Sequence, residues 1–437
     1  MLIALLFACN KAEFMPAPEG KQIQYTDSSL TVLEFLRKSP EYSLFLQAWQ
    51  RSNIQKILSQ YEADYAISIL LPDNKAMEAS GFNSNSIRVT PVIILDSLIR
   101  IHTISKQLFP EALALQSGNL SVNTMQDNSD FTDAEYFGSE FYTYRQHLAI
   151  SDEKLLLNGK IVGLAALCKV LKDATVFPID HVIKKQRKSI RQLLYEDERF
   201  SMYLAMRRHN DSLYNKIAGI EETFLKPTTY DNRYVLQYGG GAHVLNYFSD
   251  INYTYGIYEQ IFYESREIYS TTLLVPTNEA FQKAGFNNLQ DLIALNNRAV
   301  PYQPDGWSGV LSGYLPTDSI LNNHYWGCND ATVKTNIRGN IQDIKRTPVV
   351  PLIFYTNDME NKILWDFKVS LRETGTGGQD FSLVNPLDFI RDGSTIRVRV
   401  KGSGAESATI IEKDIEAFNG VIHVVDRLLV PAGFKLH

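Results

Sequence analysis

What most constrains this chain is that one sixteen-residue stretch occurs twice. Residues 271–286 read TTLLVPTNEAFQKAGF and residues 67–82 read ISILLPDNKAMEASGF, an ungapped match at an offset of 204 (72 to 276). Leu70, Pro72, Asn74, Ala76, Gly81 and Phe82 coincide with Leu274, Pro276, Asn278, Ala280, Gly285 and Phe286. Each copy reads as an apolar β run, a proline that ends it, a polar cap (Asp73 or Thr277) and a short amphipathic helix. A side-chain oxygen at the cap takes a free amide of the first turn, and the glycine suits the left-handed residue after a helix. A second pair, residues 31–48 and 189–206, matches without gaps at an offset of 158 (31 to 189). There Val32, Phe35, Leu36, Tyr42, Phe45 and Leu46 fall on Ile190, Leu193, Leu194, Phe200, Tyr203 and Leu204, which predicts helix, break, helix in both. Between these landmarks the second copy holds 46 additional residues, the difference between the two offsets. One unit is written twice, and its later version is enlarged.

The blocks follow a fixed order: a helical opening, LLVPTNEAF, a histidine after an apolar helix (LNNHYW, 321–326), then FNGVIHVVDRLLVP at 418–431. This order resembles a fasciclin domain, whose two signature boxes flank a Tyr-His-type segment. In the first copy LIRIHTI (98–104) supplies the histidine segment. Its closing box, VFPIDHVI (176–183), sets Asp180 against Asp426 but lacks the NG-x-I-H lead. The resemblance implies an α+β chain of two tandem fasciclin-like domains, each a β-sandwich or wedge with flanking helices. They would span residues 25–186 and 187–437, after a leader and tether at 1–24. It also implies a non-catalytic binding or adhesion role, the histidine segment of some members being implicated in cell adhesion.

Hairpin and strand signals agree with that class. Asn158-Gly159 between apolar runs is a two-residue turn joining strands at 155–157 and 161–170, with a closing strand at 175–183. Alternation and β-branching place further strands at 395–401, 409–414 and 420–430, after an Asp392-Gly393 turn.

The apolar run at 2–8 is far too short to span a bilayer. It ends Leu6-Phe7-Ala8-Cys9, which looks like a bacterial lipobox, although the charged region expected ahead of it is absent. Cys9 is therefore expected to be acylated, with residues 10–24 as a tether; the other reading is a buried apolar N-terminal strand. Leader and fold together resemble the surface lipoproteins of Bacteroidota-type bacteria, exported and lipid-anchored to the outer membrane or cell surface. A net charge of −6, with no basic run beyond Lys184, Lys185, Arg187 and Lys188, argues against a nucleic-acid partner. That run reads as a solvated linker. Cys168 and Cys328 fall in different domains and read as small buried residues rather than a disulfide.

The usual catalytic constellations are missing from the sequence: no GxSxG, HExxH, CxxC pair or P-loop, and a Gly239-Gly240-Gly241 run without a following Lys-Ser/Thr. No cofactor and no metal is expected. His102, His324 and His423 lie on signature segments. Each reads either as a histidine hydrogen-bonded within the fold or, more sharply, as a recognition residue, with His324-Tyr325-Trp326 the place to test it. Asp180 and Asp426 are expected to be structural, fixing the corner beside the PTNEAF helix. The enlarged second copy is rich in tyrosine and phenylalanine between residues 224 and 269, and a loop at 301–316 carries Tyr302 and Trp307. Such rings either fill an accessory core or present flat faces to a sugar or protein. His324, Tyr325, Trp326, Trp307 and Tyr302 are the candidate ligand-binding residues. The expected function is recognition of a glycan or a surface or extracellular protein through the second domain's insertions. The alternatives are an accessory structural subunit of an outer-membrane, glycan-uptake-type assembly and, further off, an uncharacterised hydrolase built on a carboxylate pair.

Overall fold

The computed structural model describes residues 29–62, 65–133, 141–217, 225–227, 232–234, 251–258, 261–268, 271–299, 315–327, 353–364, 367–371, 379–383 and 386–436. Cys9, Tyr302, Trp307 and Cys328 lie outside the described residues.

The repeated corner forms twice. Strand Ile67–Pro72 is buried throughout and lies parallel to Ala174–Ile179 on one side and antiparallel to Thr103–Ile104 on the other. Strand Thr271–Pro276 does the same between Gly420–Val425 and Tyr325–Gly327. An inner strand covered on both faces reads as a continuous apolar run, and alternate side chains explain how it is filled. Ile67, Ile69 and Leu71 enter a core shared with the opening helices, while Leu70 enters a second core on the β side. Leu273 and Val275 repeat the first choice and Leu274 the second.

Local chemistry sets the corner as expected. Asp73 Oδ1 accepts the Ala76 amide at 2.7 Å, and Thr277 Oγ1 accepts that of Ala280 at 3.3 Å. Gly81 and Gly285 have φ of +86° and +90°, the left-handed region that a side chain resists. The opening helices, Val32–Lys38 and Ile190–Tyr195, begin with capping boxes on Thr31 and Ser189.

The corner is also tied to these helices by an asparagine that the pattern alone leaves without a role. Asn74 Oδ1 accepts the Leu44 amide at 2.9 Å, while its Nδ2 donates to Pro40 O at 2.9 Å and Ser43 Oγ at 3.1 Å. Asn278 makes the equivalent set with Met202, Glu198 O and Ser201 Oγ, at 3.0, 2.9 and 3.0 Å. All three partners move by the offset of 158, so the duplication holds at the level of single bonds.

Strands away from the corner are close to expectation, with one difference. The Asn158-Gly159 hairpin pairs Leu157 with Lys160, and both turn residues have positive φ, 50° and 78°. The run expected as one strand over 161–170 is broken: Lys160–Leu164, a 3-10 turn Ala165–Leu167, then Lys169–Val170. Where the strand was expected to continue, the chain turns so that Cys168 tucks into the core; burial pushes its thiol up to about 12.

The enlargement of the second half starts in the helix Ser201–Ile217 and includes a hairpin of Ile251–Tyr258 and Ile261–Ile268. That hairpin joins the sheet of the first half, with Glu267 and Ile268 paired in parallel to Thr132 and Asp133. The insertion therefore reaches across to the other copy. Among the described residues, no helix is long and apolar enough to cross a membrane.

Candidate functional site

The three signature histidines are all inside the protein. His324 follows the short helix Asp318–Leu321 and is completely buried. Its Nδ1 lies 2.6 Å from Leu274 O, and its Nε2 is 2.9 Å from the Leu429 amide. An amide can only donate, so Nε2 accepts and Nδ1 carries the proton. His102, also completely buried, is used the same way: Nδ1–H donates to Leu98 O at 2.7 Å and Nε2 accepts the Ile183 amide at 2.9 Å. Ile183 and Leu429 stand three residues after Asp180 and Asp426, at the shared offset of 246 (180 to 426). Each histidine latches the chain leaving the closing strand to the centre of its own half. His423 on the closing strand accepts the Asp414 amide at Nδ1 (3.2 Å) and donates from Nε2 to Phe354 O (3.1 Å).

Burial decides the charge of these rings. Loss of solvent holds His102 down to about 4 and His324 to about 3, overcoming the carbonyl bonds that favour the cation. His423 is lowered by the same cause. His324 thus has neither an exposed edge nor a spare nitrogen, and its expected place among the ligand-binding residues is corrected to a latch. Tyr325 and Trp326, next in the chain, are backbone partners of Leu273 and Thr272.

The paired aspartates divide. Asp426 Oδ1 accepts the Thr409 amide at 2.6 Å, and its carbonyl takes Lys283 Nζ of the corner helix at 3.3 Å, the structural role expected. Asp180 is 69 % exposed at its side chain and, among the described residues, holds only the neighbouring His181, so it does not fix its corner there. The missing lead of the first closing box is replaced functionally. Asn419 Oδ1 accepts the Ile190 amide at 2.9 Å, and Asp173 Oδ1 accepts that of Val32 at 2.7 Å. Asp173 stands at the shared offset from Asn419, which is the signal that would have found it.

A second buried polar group anchors the base of the inserted loop. Arg207 and Asp318, 1 % and 0 % exposed, pair at 3.3 Å, and Arg207 Nη2 donates to Leu321 O at 2.6 Å. Asn210 Nδ2 donates to Asp318 and to Thr317 Oγ1, both at 2.8 Å. Asn296 Oδ1 accepts the Thr317 amide at 3.0 Å and its hydroxyl at 2.7 Å. Asn296 and Thr317 therefore clasp the two feet of the segment that carries Tyr302 and Trp307.

The halves meet along a polar and aromatic seam. Asn119 gives its amide and its Nδ2 to the two oxygens of Asp358, at 2.7 and 2.6 Å. Asn158 Nδ2 donates to Glu416 at 3.0 Å, and Lys160 Nζ to the other oxygen at 2.9 Å. Phe131 stacks on Phe418 at 5.6 Å, and the Tyr142 hydroxyl donates to the Phe418 carbonyl. His147 faces Tyr355 at 5.2 Å; burial lowers it to about 3. The basic run after the first half is exposed as expected, except Lys185, whose ammonium lies 4.9 Å over Tyr144.

The fasciclin domain family matches residues 354–431. No curated protein matches the chain. A solved FAS1 domain pair from the insect cell adhesion molecule fasciclin I is 13 % identical over 89 % of this chain and 96 % of that one, with a TM-score of 0.27. So loose a superposition carries no weight; the tandem arrangement rests on the bonds that the two halves share.

Proposed function

We infer that the chain is a tandem fasciclin-domain protein, a non-catalytic binding or adhesion module displayed at a bacterial surface. It recognises a glycan or a protein partner through the insertions of the second domain and is held to the outer membrane by a lipid on Cys9. The domains fall at about 25–186 and 187–437.

One observation carries this reading: the insertion is built onto the pair rather than into its own domain. Its hairpin, Ile251–Tyr258 with Ile261–Ile268, extends the first domain's sheet through Glu267 and Ile268. A tyrosine-rich hairpin laid along a duplicated frame suits recognition. The consumption of His102, His324 and His423 in internal bonds supports binding over catalysis. Loops held by a rigid base are where such folds place recognition, and the clasp of Asn296 on Thr317 provides that base.

The test is a glycan array and a surface-protein pull-down with the wild-type chain and with Trp307→Ala and Tyr302→Ala. Signal lost in the variants, with unchanged melting, supports the proposal. Co-purification with a membrane partner and no glycan signal would transfer it to the structural-subunit reading. Turnover of an oligosaccharide would overturn it.

A further inference from the structure

The first domain carries an apolar knuckle that the described residues leave exposed. Helix Ser84–Val89 ends at Thr90-Pro91, and helix Val92–Ile101 begins at once. Val89 is 75 % exposed, Val92 40 %, Ile93 74 % and Ile94 49 %. Three consecutive residues of this helix turn are thus exposed, Ile93 the most. Only from Leu95 onward does the helix enter the core.

Two further features say what chemistry would cover it. Residues 81–95 (GFNSNSIRVTPVIIL) hold no carboxylate and one arginine, in a chain with 49 acidic residues. The helix is also uncapped. Pro91 has no side-chain acceptor, and among the described residues the Val92 and Ile93 amides find none, whereas Asp73 and Thr277 cap the corner helices. Free first-turn amides at the positive end of a ten-residue helix favour phosphate oxygens. Apolar side chains around them favour the acyl boundary. A phospholipid headgroup layer offers both at that spacing, and carboxylates would be repelled from an anionic one.

We propose that residues 88–94 are a lipid-contacting knuckle that seats the first domain on the bilayer. The proposal rests on the surface-lipoprotein reading only for its setting. From Cys9 to Ser29 the chain can reach at most about 72 Å when extended, so an anchored first domain stays near the membrane.

The experiment uses the full chain with Cys9→Ala, which removes the anchor, and vesicles of phosphatidylethanolamine and phosphatidylglycerol. Flotation should show weak binding that falls at least tenfold in Ile93→Asp. Because Ile93 is exposed, its melting temperature should stay with that of the parent. In the acylated chain, Ile93→Trp should be quenched by brominated lipids beyond the parent's background. Equal flotation with and without Ile93→Asp, or no added quenching, overturns the proposal. So does a change in sedimentation mass caused by Ile93→Asp without any change in vesicle binding, since the knuckle would then cover a second copy. Mass spectrometry of the mature N-terminus decides the anchor separately: an unmodified Cys9 with Ile93-dependent vesicle binding would sink the anchor and keep the knuckle.

Discussion

Gly159 stands so close to Asp414 that a Cβ built on it would lie 2.9 Å from the carboxylate carbon. The glycine is the second residue of the first domain's hairpin turn, and Asp414 belongs to the strand Ala408–Ala417 of the second. The carboxylate cannot easily yield, because Thr356 donates both its amide and its hydroxyl to it, at 2.8 and 2.5 Å. A turn chosen for its backbone is thus also a point of close approach between the two domains.

Gly159→Ala should therefore cost more than the same change at a left-handed glycine with open space around it. Gly393 has φ +57° with nothing within 4 Å, so Gly393→Ala reports backbone strain alone, roughly 1–2 kcal/mol. The added clash at Gly159 should bring a further ~1–3 kcal/mol. Urea denaturation of the two variants checks this, and equal losses would mean that the seam gives way freely.

Replacing a latch histidine should destabilise without touching recognition. His324→Ala strips partners from the buried Leu429 amide and Leu274 carbonyl, and each unsatisfied group costs about 1–3 kcal/mol. Partner binding by the fraction still folded should match wild type. A selective loss of affinity with unchanged stability would return His324 to the binding residues.

Acid should weaken the fold through these rings. His102, His147 and His324 are held at about 4, 3 and 3 in the folded chain, below the ordinary histidine value of 6.5. The unfolded chain takes up their protons first, so stability is fully present above about pH 6.5 and is lost as pH falls toward the folded values. Each ring contributes a slope of up to ~1.4 kcal/mol per pH unit in that window. Urea midpoints between pH 7.5 and 5 should fall with pH, and less steeply in His324→Gln.

The buried pair of Arg207 and Asp318 should be intolerant of losing one member. Asp318→Ala leaves the guanidinium charged inside the second domain, a cost of about 3–5 kcal/mol. It also removes an acceptor from Asn210, loosening the clasp on Thr317. Calorimetry should show the second domain's transition falling while the first domain's holds; a single unshifted transition would contradict the separate roles.

Asn278→Asp tests the repeated asparagine by chemistry rather than size. The acceptor for the Met202 amide survives, but the donors to Glu198 O and Ser201 Oγ become oxygens. A loss of ~1–3 kcal/mol is expected from opposed acceptors. Asn74→Asp should behave alike in the first domain, and two different responses would limit the equivalence of the corners.

Much of this protein could be read along its chain. The strand, proline, cap, helix and glycine of each corner interact within sixteen residues, so their pattern is visible to local rules, as is the Asn158-Gly159 turn. What those residues are for was settled in three dimensions. Asn278 answers helices some 80 positions earlier, His324 meets an amide 105 positions later, and Asp173 replaces Asn419 in a box that looks broken. A lone pair or an amide has no preferred distance along the sequence; only folding brings the partner within 3 Å. Burial worked in the same way, turning a histidine with the look of a recognition residue into a neutral internal bond. The chain by itself declares a duplicated frame, and the tertiary structure decides which of its polar groups are left to meet anything else.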